Sequence, residues 1–383
     1  MGSSRWFPAV LTFTCVLVCG ASAAQSGPAP LSAREWPKLL RKAQHGNRAA
    51  QTRVGLAFQR GDVVGQDFVE AHKWFLKAAE EGDPVAEHNL GVMCYAGMGT
   101  ERSPIEALKW FEKAAAAGFI PALFNAALMY ETGVVVPQNL GRALELYTQA
   151  AQAGYAPAQN NLGVLYENGK ATAPDLAAAV KWYTKSAEQG SAIGEFNLGS
   201  MYWHGVGVPQ DFAKAAKWFT LAAEQGDAKS QLALGDLYRV GLGMPKDEHA
   251  AVHWLGKAAD QGDATAELRL GIIYLSGQGV AHDDSVAAAW ISRAAEQGNR
   301  EAQANLAYLY EIGHGVPHDL KRAYFWRLLS LDTGSSQQDE KLRNLASQLS
   351  RDDIEEADRR ASDWRSAQMS HAAKLGLALS PIQ

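Results

Sequence analysis

The chain has 383 residues, of which 47% are hydrophobic and 20% charged, and it contains 36 Gly, 11 Trp and 3 Cys. This composition excludes a disordered chain, a collagen and a disulfide-stapled miniprotein, because it supplies enough apolar surface for a large core. The net charge of -5 and the lack of any long Lys/Arg run argue against a nucleic-acid partner, since phosphate binding needs a clustered basic surface.

The first 23 residues are typical of a secretory signal peptide. Arg5 supplies the positive charge, residues 7–18 supply the apolar stretch, and Ala21-Ser22-Ala23 is a cleavage site of small residues. We therefore predict cleavage near Ala23/Ala24, followed by a linker over residues 24–36. The apolar stretch has only about 12 residues whereas ~20 are needed to span a bilayer, so no stable membrane span is predicted.

Cysteine usage and glycosylation signals bear on the compartment. Cleavage would remove Cys15 and Cys19 and leave Cys94 alone, so the mature chain could form no internal disulfide. The sequence contains no Asn-x-Ser/Thr glycosylation sequon. These features favour a bacterial envelope compartment, and we predict a periplasmic or secreted location.

A short helix over residues 37–45 is predicted as an N-terminal cap to a series of repeats. The repeats have a period of 36 residues and occupy residues 46–333 in eight copies without insertion or deletion. Their boundary glycines are Gly46, Gly82, Gly118, Gly154, Gly190, Gly226, Gly262, Gly298 and Gly334. Seven of the 11 Trp share one column, namely Trp74, Trp110, Trp182, Trp218, Trp254, Trp290 and Trp326. This regularity indicates a repeat fold and explains why Gly and Trp are both abundant.

Each repeat is predicted to form two helices, which we name helix A and helix B. In helix A, residues such as Ala158, Leu162 and Gly163 share one face at 100° per residue. In helix B, residues such as Ala215 and Trp218 do the same. We expect the Trp column to fill the space left by small residues on the partner helix, and so to form the core of helix B.

Glycine and capping residues predict the helix ends. A second glycine column would end helix A in the left-handed conformation, at Gly61, Gly97, Gly133, Gly169, Gly205, Gly241, Gly277 and Gly313. Residues with capping side chains precede helix B, at Asp67, Ser103, Asn139, Asp175, Asp211, Asp247, Asp283 and Asp319. Beyond the repeats, residues 334–368 are predicted to form two capping helices, and residues 369–383 a flexible tail.

The combined pattern in residues 266–298 is Ala-x-x-x-Leu-Gly-x-x-Tyr-x-x-Gly-x-Gly-Val, then Asp, then Ala-x-x-Trp-x-x-x-Ala-Ala-x-x-Gly. This pattern resembles the Sel-1-like repeat (SLR) family, whose members are relatives of tetratricopeptide repeats. The resemblance implies an all-α fold, a right-handed α/α superhelix or solenoid in which each repeat contacts mainly its neighbours. It also implies a protein-interaction scaffold without cofactor, and we expect a monomer.

Candidate catalytic and metal-binding residues are few. His249 and His253 lie four residues apart on a helix but lack the intervening Glu of a zinc-protease motif. His314 and His318 lie in a turn without a third ligand. Cys94 occupies a column that is otherwise mostly Tyr, which favours packing over nucleophilic chemistry. The sequence therefore predicts no catalytic residue and no metal ligand.

The face of helix A opposite its core stripe is the predicted partner-binding surface. One column there is mostly Asn, with Asn89, Asn125, Asn161 and Asn197, and such amides either grip the backbone of an extended peptide or bond to neighbouring helices. Four aromatic residues are predicted on the same stripe, namely Tyr95, Phe124, Phe196 and Trp203. Exposed aromatics on a concave surface are typical anchors for a partner, although packing between repeats would also employ them.

Three hypotheses about function remain open at this point. The first is an exported, non-enzymatic scaffold or adaptor that holds an envelope protein or peptide in a concave groove. The second is β-lactamase-like or penicillin-binding activity, which is known in cysteine-rich SLR relatives; those relatives carry a Cys pair in each repeat, whereas this chain has 3 Cys in total. The third is a host-interaction module with a role in virulence.

Overall fold

The computed structural model describes residues 31–331 and 339–374, and these residues form 19 helices and no strand. The predicted signal peptide over residues 1–23 lies outside the described residues, as do residues 24–30 of the predicted linker and residues 375–383 of the predicted tail. The chain divides into two compact units between Gly194 and Glu195. We call them the N-terminal unit and the C-terminal unit and describe each by itself.

The N-terminal unit contains the first capping helix and the helix pairs of repeats 1 to 4. Its helices are α1 Trp36–Gln44, α2 Arg48–Arg60, α3 Phe68–Glu80, α4 Pro84–Ala96, α5 Pro104–Ala116, α6 Ile120–Thr132, α7 Leu140–Gln152, α8 Ala156–Asn168 and α9 Leu176–Glu188. From α2 to α9, each helix packs on the one before it along the chain, both within a repeat and between repeats.

The C-terminal unit contains repeats 5 to 8 and two further helices. The helix α10 Ala192–His204 spans the division between the units. The remaining helices are α11 Phe212–Glu224, α12 Ala228–Val240, α13 Glu248–Asp260, α14 Ala264–Ser276, α15 Asp284–Glu296, α16 Arg300–Ile312, α17 Leu320–Ser330, α18 Glu340–Ser347 and α19 Arg351–Lys374. The predicted all-α fold of eight consecutive helix pairs is confirmed. The last helix, α19, continues to Lys374. The predicted boundary at residue 368 between the capping helices and the tail is therefore wrong.

The helix ends follow the capping pattern of the sequence. Asp175 accepts a hydrogen bond from the backbone N–H of Ala178 at 2.9 Å, and the other seven residues of its column cap their helices in the same way. The matching end of helix A is a glycine in the left-handed conformation, as at Gly97 with φ +73°. The predicted starts of helix B and ends of helix A are therefore confirmed.

The closest contact within a repeat joins a helix-A glycine to a large side chain of helix B. A Cβ atom placed on Gly91 would lie 2.5 Å from Cε1 of Phe111. Five other repeats show the same approach at 2.4 to 2.8 Å, in the pairs Gly55–Phe75, Gly163–Tyr183, Gly199–Phe219, Gly235–Leu255 and Gly271–Ile291. Real Cβ atoms do not sit this close, so the large side chain occupies the space that glycine leaves open.

This contact corrects the expectation about tryptophan. The fully buried column of helix B is the one that follows the Trp column, since Phe75, Phe111 and Tyr147 are each 0% exposed. Most residues of the Trp column are only half-buried, and Trp110, for example, packs against a cluster that includes Phe75 of the preceding repeat. A cation commonly covers the exposed side of the ring, for example Lys113 Nζ at 5.0 Å from the Trp110 centroid. The prediction that the Trp column forms the helix-B core is therefore wrong by one residue.

Buried polar side chains of helix A bond to the end of the preceding helix B in several repeats. Seven repeats have a Gln or Glu at one helix-A position, and all seven are 5% exposed or less: Gln51, Glu87, Gln159, Glu195, Gln231, Glu267 and Gln303. Gln159 Nε2 donates to the carbonyl oxygen of Ala151 at 3.1 Å, which lies at the end of the preceding helix B. A helix C-terminus has carbonyls without intrahelical partners, and the four glutamines of this set each donate to one of them.

Glu267 is the most deeply buried member of this set, at 0% exposed. Arg293 from the following helix B lies 2.8 Å from its Oε1 atom, and Gln297 Nε2 donates to its Oε2 atom at 2.7 Å. Burial still raises the pKa of Glu267 against these favourable contacts. The carboxylate is thus retained in the core only because its neighbours compensate its charge.

The turn glycines allow a first test of the stacking. Gly82 and Gly99 both have positive φ, at +76° and +67°, but only a Cβ on Gly99 would meet backbone, at 2.2 Å from the carbonyl oxygen of Phe68. We expect Gly82→Ala to lower the free energy of unfolding by about 1–2 kcal/mol, from its backbone conformation alone. Gly99→Ala should cost a further ~1–3 kcal/mol because α3 must move away. Urea unfolding, monitored by circular dichroism, measures the loss of stability in both variants. Equal losses would show that the turn does not press on α3.

The buried ion pair allows a second test, by a double-mutant cycle. Arg293→Ala should lower the free energy of unfolding by roughly 1–3 kcal/mol at pH 7, because it leaves a buried carboxylate without its half-exposed cation. The pKa of Glu267 is raised in the folded protein, so its carboxylate is protonated more readily there than in the unfolded chain. A protonated Glu267 does not need a cation, and the destabilisation caused by Arg293→Ala should therefore shrink as the pH falls towards 4. In a Glu267→Gln background, where glutamine matches Gln231 and Gln303, Arg293→Ala should cost much less. An equal cost in both backgrounds would contradict the pairing.

Candidate partner-binding surface

The predicted binding surface comprises the helix-A positions on the side of the helix opposite the core stripe that contains Leu162. In repeat 4 these positions are Asn160, Asn161, Val164, Glu167 and Asn168, and equivalent positions recur every 36 residues. We call this set of positions the helix-A face. Its residues range from buried to exposed, and their identities differ from one repeat to the next.

The N-terminal unit holds two of the four predicted aromatic anchors. Tyr95 is half-buried on α4, with the guanidinium of Arg102 at 5.8 Å from its ring centroid. Phe124 is only 2% exposed, and its ring contacts those of Tyr147 at 5.7 Å and Tyr155 at 5.4 Å. The prediction that Phe124 lies on an exposed stripe is therefore wrong, because Tyr147 of its own repeat and Tyr155 of the next repeat cover it.

The C-terminal unit holds the other two anchors, Phe196 and Trp203. Both are half-buried on α10, and both contact the ring of Phe219, with centroid distances of 5.8 and 6.2 Å. Trp203 also meets Phe212 edge-on at 5.5 Å, and Lys229 Nζ lies 5.9 Å from the Phe196 centroid. One side of each ring thus packs on α11, and the remaining surface is accessible.

The asparagine column is largely engaged in bonds within the protein. Asn161 Nδ2 donates to the hydroxyl of Tyr147 at 3.1 Å, and Asn89 Nδ2 donates to the carbonyl oxygen of Val85 at 2.7 Å. Asn125 is 1% exposed, so the expectation of an accessible amide is wrong at this position. Asn197 is half-buried and also has an interaction partner. Of the two roles considered for this column, the geometry favours bonding between helices.

Asn125 bonds to a buried histidine on the preceding helix A. Its Nδ2 atom lies 3.1 Å from Nε2 of His88, while its Oδ1 atom is buried without a hydrogen-bond partner. The His88 ring lies between those of Phe111 and Phe119, at centroid distances of 5.6 and 5.2 Å. Burial lowers the pKa of His88 to about 4, so the imidazole is neutral at physiological pH.

Sequence reasoning missed two tyrosine–glutamate pairs on the helix-A face. Tyr147 Oη donates to Oε2 of Glu131 at 2.7 Å, and Tyr183 Oη donates to Oε2 of Glu167 at 2.6 Å. Both tyrosines are buried in the helix-B column that is Phe in three other repeats. One feature of the sequence could have indicated these pairs, because Glu and a Tyr 16 residues after it occur together in repeats 3 and 4 only.

The remaining chemical candidates lie apart from this face or within the core. Cys94 is 6% exposed, and burial raises the pKa of its thiol, which makes it a poor nucleophile. His253 contacts the ring of Trp254 at 5.2 Å. Within the described ranges, no group of three or more His, Cys, Asp or Glu side chains is arranged to hold a metal ion. None of the helices in those ranges is long and apolar enough to cross a membrane.

Stacked helical hairpins with a variable outer face define a class of protein, the tetratricopeptide-like helical-repeat scaffold, which is typical of protein–protein interaction. The Sel1 repeat model matches residues 48–83, 84–119, 120–155, 156–191, 192–227, 228–263, 264–299 and 300–326. The chain belongs to the Sel1 repeat family.

Two solved structures are similar to this chain. A Sel1 repeat protein from Oxalobacter formigenes is 30% identical over 88% of this chain and 99% of its own, with a TM-score of 0.62. A protective antigen present in uropathogenic Escherichia coli strains, which displays an SLR fold, is 27% identical over 92% of this chain and 91% of its own, with a TM-score of 0.49. Among curated protein sequences, none matches this chain.

His88 makes the stability of the protein sensitive to acid. Because its pKa is about 4 when folded, below the ordinary value of 6.5, the unfolded state binds more protons than the folded state between these two values. The free energy of unfolding should therefore fall as the pH drops from about 6.5 towards 4. His88→Phe should reduce this slope, since Phe124 and Phe196 occupy the equivalent position in other repeats. Denaturant unfolding across this pH range checks the prediction, and an unchanged slope would assign the acid sensitivity to other groups.

Proposed function

We propose that this protein is an exported, non-enzymatic scaffold that binds another envelope protein or a peptide through its helix-A faces. The observation that carries the proposal is that different columns of each repeat serve stacking and surface variation. Glycine, alanine, the large helix-B side chains and the buried Gln/Glu positions make the stack, and they change little between repeats. The helix-A face changes from repeat to repeat and stays partly accessible, which is typical of a surface that selects a partner.

We propose three aromatic anchors, namely Tyr95 in the N-terminal unit and Phe196 and Trp203 in the C-terminal unit. Each is half-buried, so its orientation is fixed by packing while one part of the ring remains available. A rigid, partly exposed aromatic ring loses little conformational entropy on binding, which makes such residues frequent hot spots. Solenoids usually present helix-A faces of this kind on their concave side.

The exported location rests on residues 1–23, whose charge, apolar stretch and small-residue cleavage site form a signal-peptide pattern. An envelope partner follows from that location. Binding is favoured over β-lactam hydrolysis, because the one cysteine left after cleavage is buried with a raised thiol pKa, and the enzymatic relatives carry cysteine pairs. A host-interaction role would be a use of the same binding surface and would depend on where the protein is delivered.

A matched pair of tryptophan variants tests the proposed surface. Trp203 and Trp218 are both half-buried, but Trp218 belongs to the helix-B column and its ring is covered by Lys217 at 5.2 Å. The immobilised chain should capture a partner from an envelope extract of the parent organism, and mass spectrometry identifies it. Trp203→Ala should weaken this complex by roughly tenfold or more, as expected for an interface hot spot.

Trp218→Ala is the control for lost packing. Both substitutions should lower the melting temperature, because each ring contacts its neighbours, but Trp218→Ala should leave the affinity within about twofold. If the two variants lose affinity equally, the effect is one of stability, and the helix-A face of α10 is not the binding surface.

A further inference from the structure

Two carboxylates on the helix-A face of the N-terminal unit are held in place by buried hydroxyl groups. Glu131 and Glu167 occupy the same position in consecutive repeats, and each is half-buried. Each receives a hydrogen bond at its Oε2 atom from a tyrosine of its own repeat, at 2.7 and 2.6 Å. The hydroxyl of Tyr147 also accepts a hydrogen bond from Asn161 on the next helix A, so it is held from both sides.

The stacking of the repeats does not require these hydroxyl groups. Phe75 and Phe111 fill the same helix-B position in repeats 1 and 2, and they make the same close contact with a helix-A glycine. In those two repeats the position equivalent to Glu131 is Gln59 or Tyr95, so the hydroxyl is present only where the carboxylate is. Burying a hydroxyl is unfavourable unless it is bonded, so a Phe would serve packing at least as well. The pairs therefore act to orient the carboxylates.

The surroundings of the two carboxylates suit an extended chain. Leu56, Leu128 and Val164 are half-buried in one column of the face, which forms an apolar stripe along the N-terminal unit. Repeat 1 contributes Arg53 and Arg60 to the other end of this stripe. The face thus has an apolar middle, a basic end at repeat 1 and an acidic end at repeats 3 and 4.

Charge at the acidic end is only partly compensated within the protein. The Oε2 atom of each carboxylate is used by its tyrosine, and within the described residues we find no hydrogen-bond donor to either Oε1 atom. Lys170, in the turn of repeat 4, is close enough to act electrostatically on Glu131. A half-buried, oriented carboxylate that retains a free oxygen is a favourable partner for an ammonium or guanidinium group.

We propose that the N-terminal unit binds an extended peptide segment whose two cationic side chains contact Glu131 and Glu167, with apolar neighbours on the stripe. Stacked helices lie roughly 10 Å apart and an extended chain advances about 3.3 Å per residue, so the two cationic residues are about three positions apart. The opposite end of the segment, towards Arg53 and Arg60, is neutral or acidic. This inference rests on the proposed function and specifies the chemistry of its partner.

Selection from a phage-displayed library of random dodecapeptides on the purified full chain tests the inference without assuming a partner. Peptides retained by the wild-type chain should be enriched in Lys or Arg at two positions about three apart, relative to the unselected library. A retained set with no basic enrichment, or with acidic enrichment, would overturn the inference while leaving peptide binding intact. If no peptide is enriched at all, the inference of an extended-peptide site is overturned, whereas the proposed function is contradicted only by the Trp203→Ala and Trp218→Ala comparison.

Charge variants then locate the site. An enriched peptide should bind Glu131→Gln/Glu167→Gln about tenfold more weakly in fluorescence anisotropy, because two partly buried ion pairs are lost. The control Glu106→Gln/Glu145→Gln makes the same change in net charge on exposed helix-B positions, which pair with Lys109 and Arg142. If the control weakens binding equally, the effect is due to the net charge of the protein. Glu131 and Glu167 would then not be the peptide-binding site.

Tyr147→Phe/Tyr183→Phe tests the positioning role. Because Phe occupies this column in other repeats, the melting temperature should stay the same or rise. The preference for Lys and Arg should nevertheless fall several-fold, since the carboxylates lose the groups that orient them. If selectivity is unchanged in this variant, the tyrosines serve packing only.

Discussion

The contact between a helix-A glycine and a large helix-B side chain is the constraint on which the rest of this structure depends. It brings the two helices of a repeat so close that a single methyl group would collide with the ring, as at Gly91 and Phe111. Once that distance is set, the turn between the helices must follow a fixed path, which explains the positive φ of glycines such as Gly99. The constant spacing of glycine and large side chain within these repeats fits this constraint, because an insertion in the turn would displace the ring from its glycine.

Close stacking also buries the ends of helices, and the protein compensates with polar side chains rather than with water-exposed caps. Gln159 and Gln231 each donate to a terminal carbonyl of the preceding helix B. Where Glu replaces Gln, as at Glu267, a cation from helix B of the same repeat neutralises it while lying over a Trp ring. The half-buried tryptophans therefore have two roles, since they fill the space between repeats and support the cations that the buried carboxylates need.

These requirements leave the helix-A face as the part of each repeat that can vary without loss of stacking. In the N-terminal unit this freedom is used for an apolar stripe with oppositely charged ends, and in the C-terminal unit for the Phe196 and Trp203 rings on α10. A family that keeps one set of columns for stability and another for recognition can change partners without changing fold. On the proposals made above, a few side chains such as Glu131 and Glu167 select the partner.

The sequence alone determined the helix pairs, their ends and the family, because glycine and capping residues act locally and recur eight times in register. Asp175 caps its helix and Gly97 ends one as the pattern predicts, since both effects depend on residues only a few positions apart. Tertiary structure decided what is accessible. Phe124 and Asn125 read as outward-facing on a helical wheel, yet neighbouring helices cover them, and the adjoining column rather than tryptophan fills the core. The pairing of Tyr147 with Glu131 could not be predicted from the sequence either, because it depends on how two helices approach each other. The periodicity of a single helix contains no information about its neighbours.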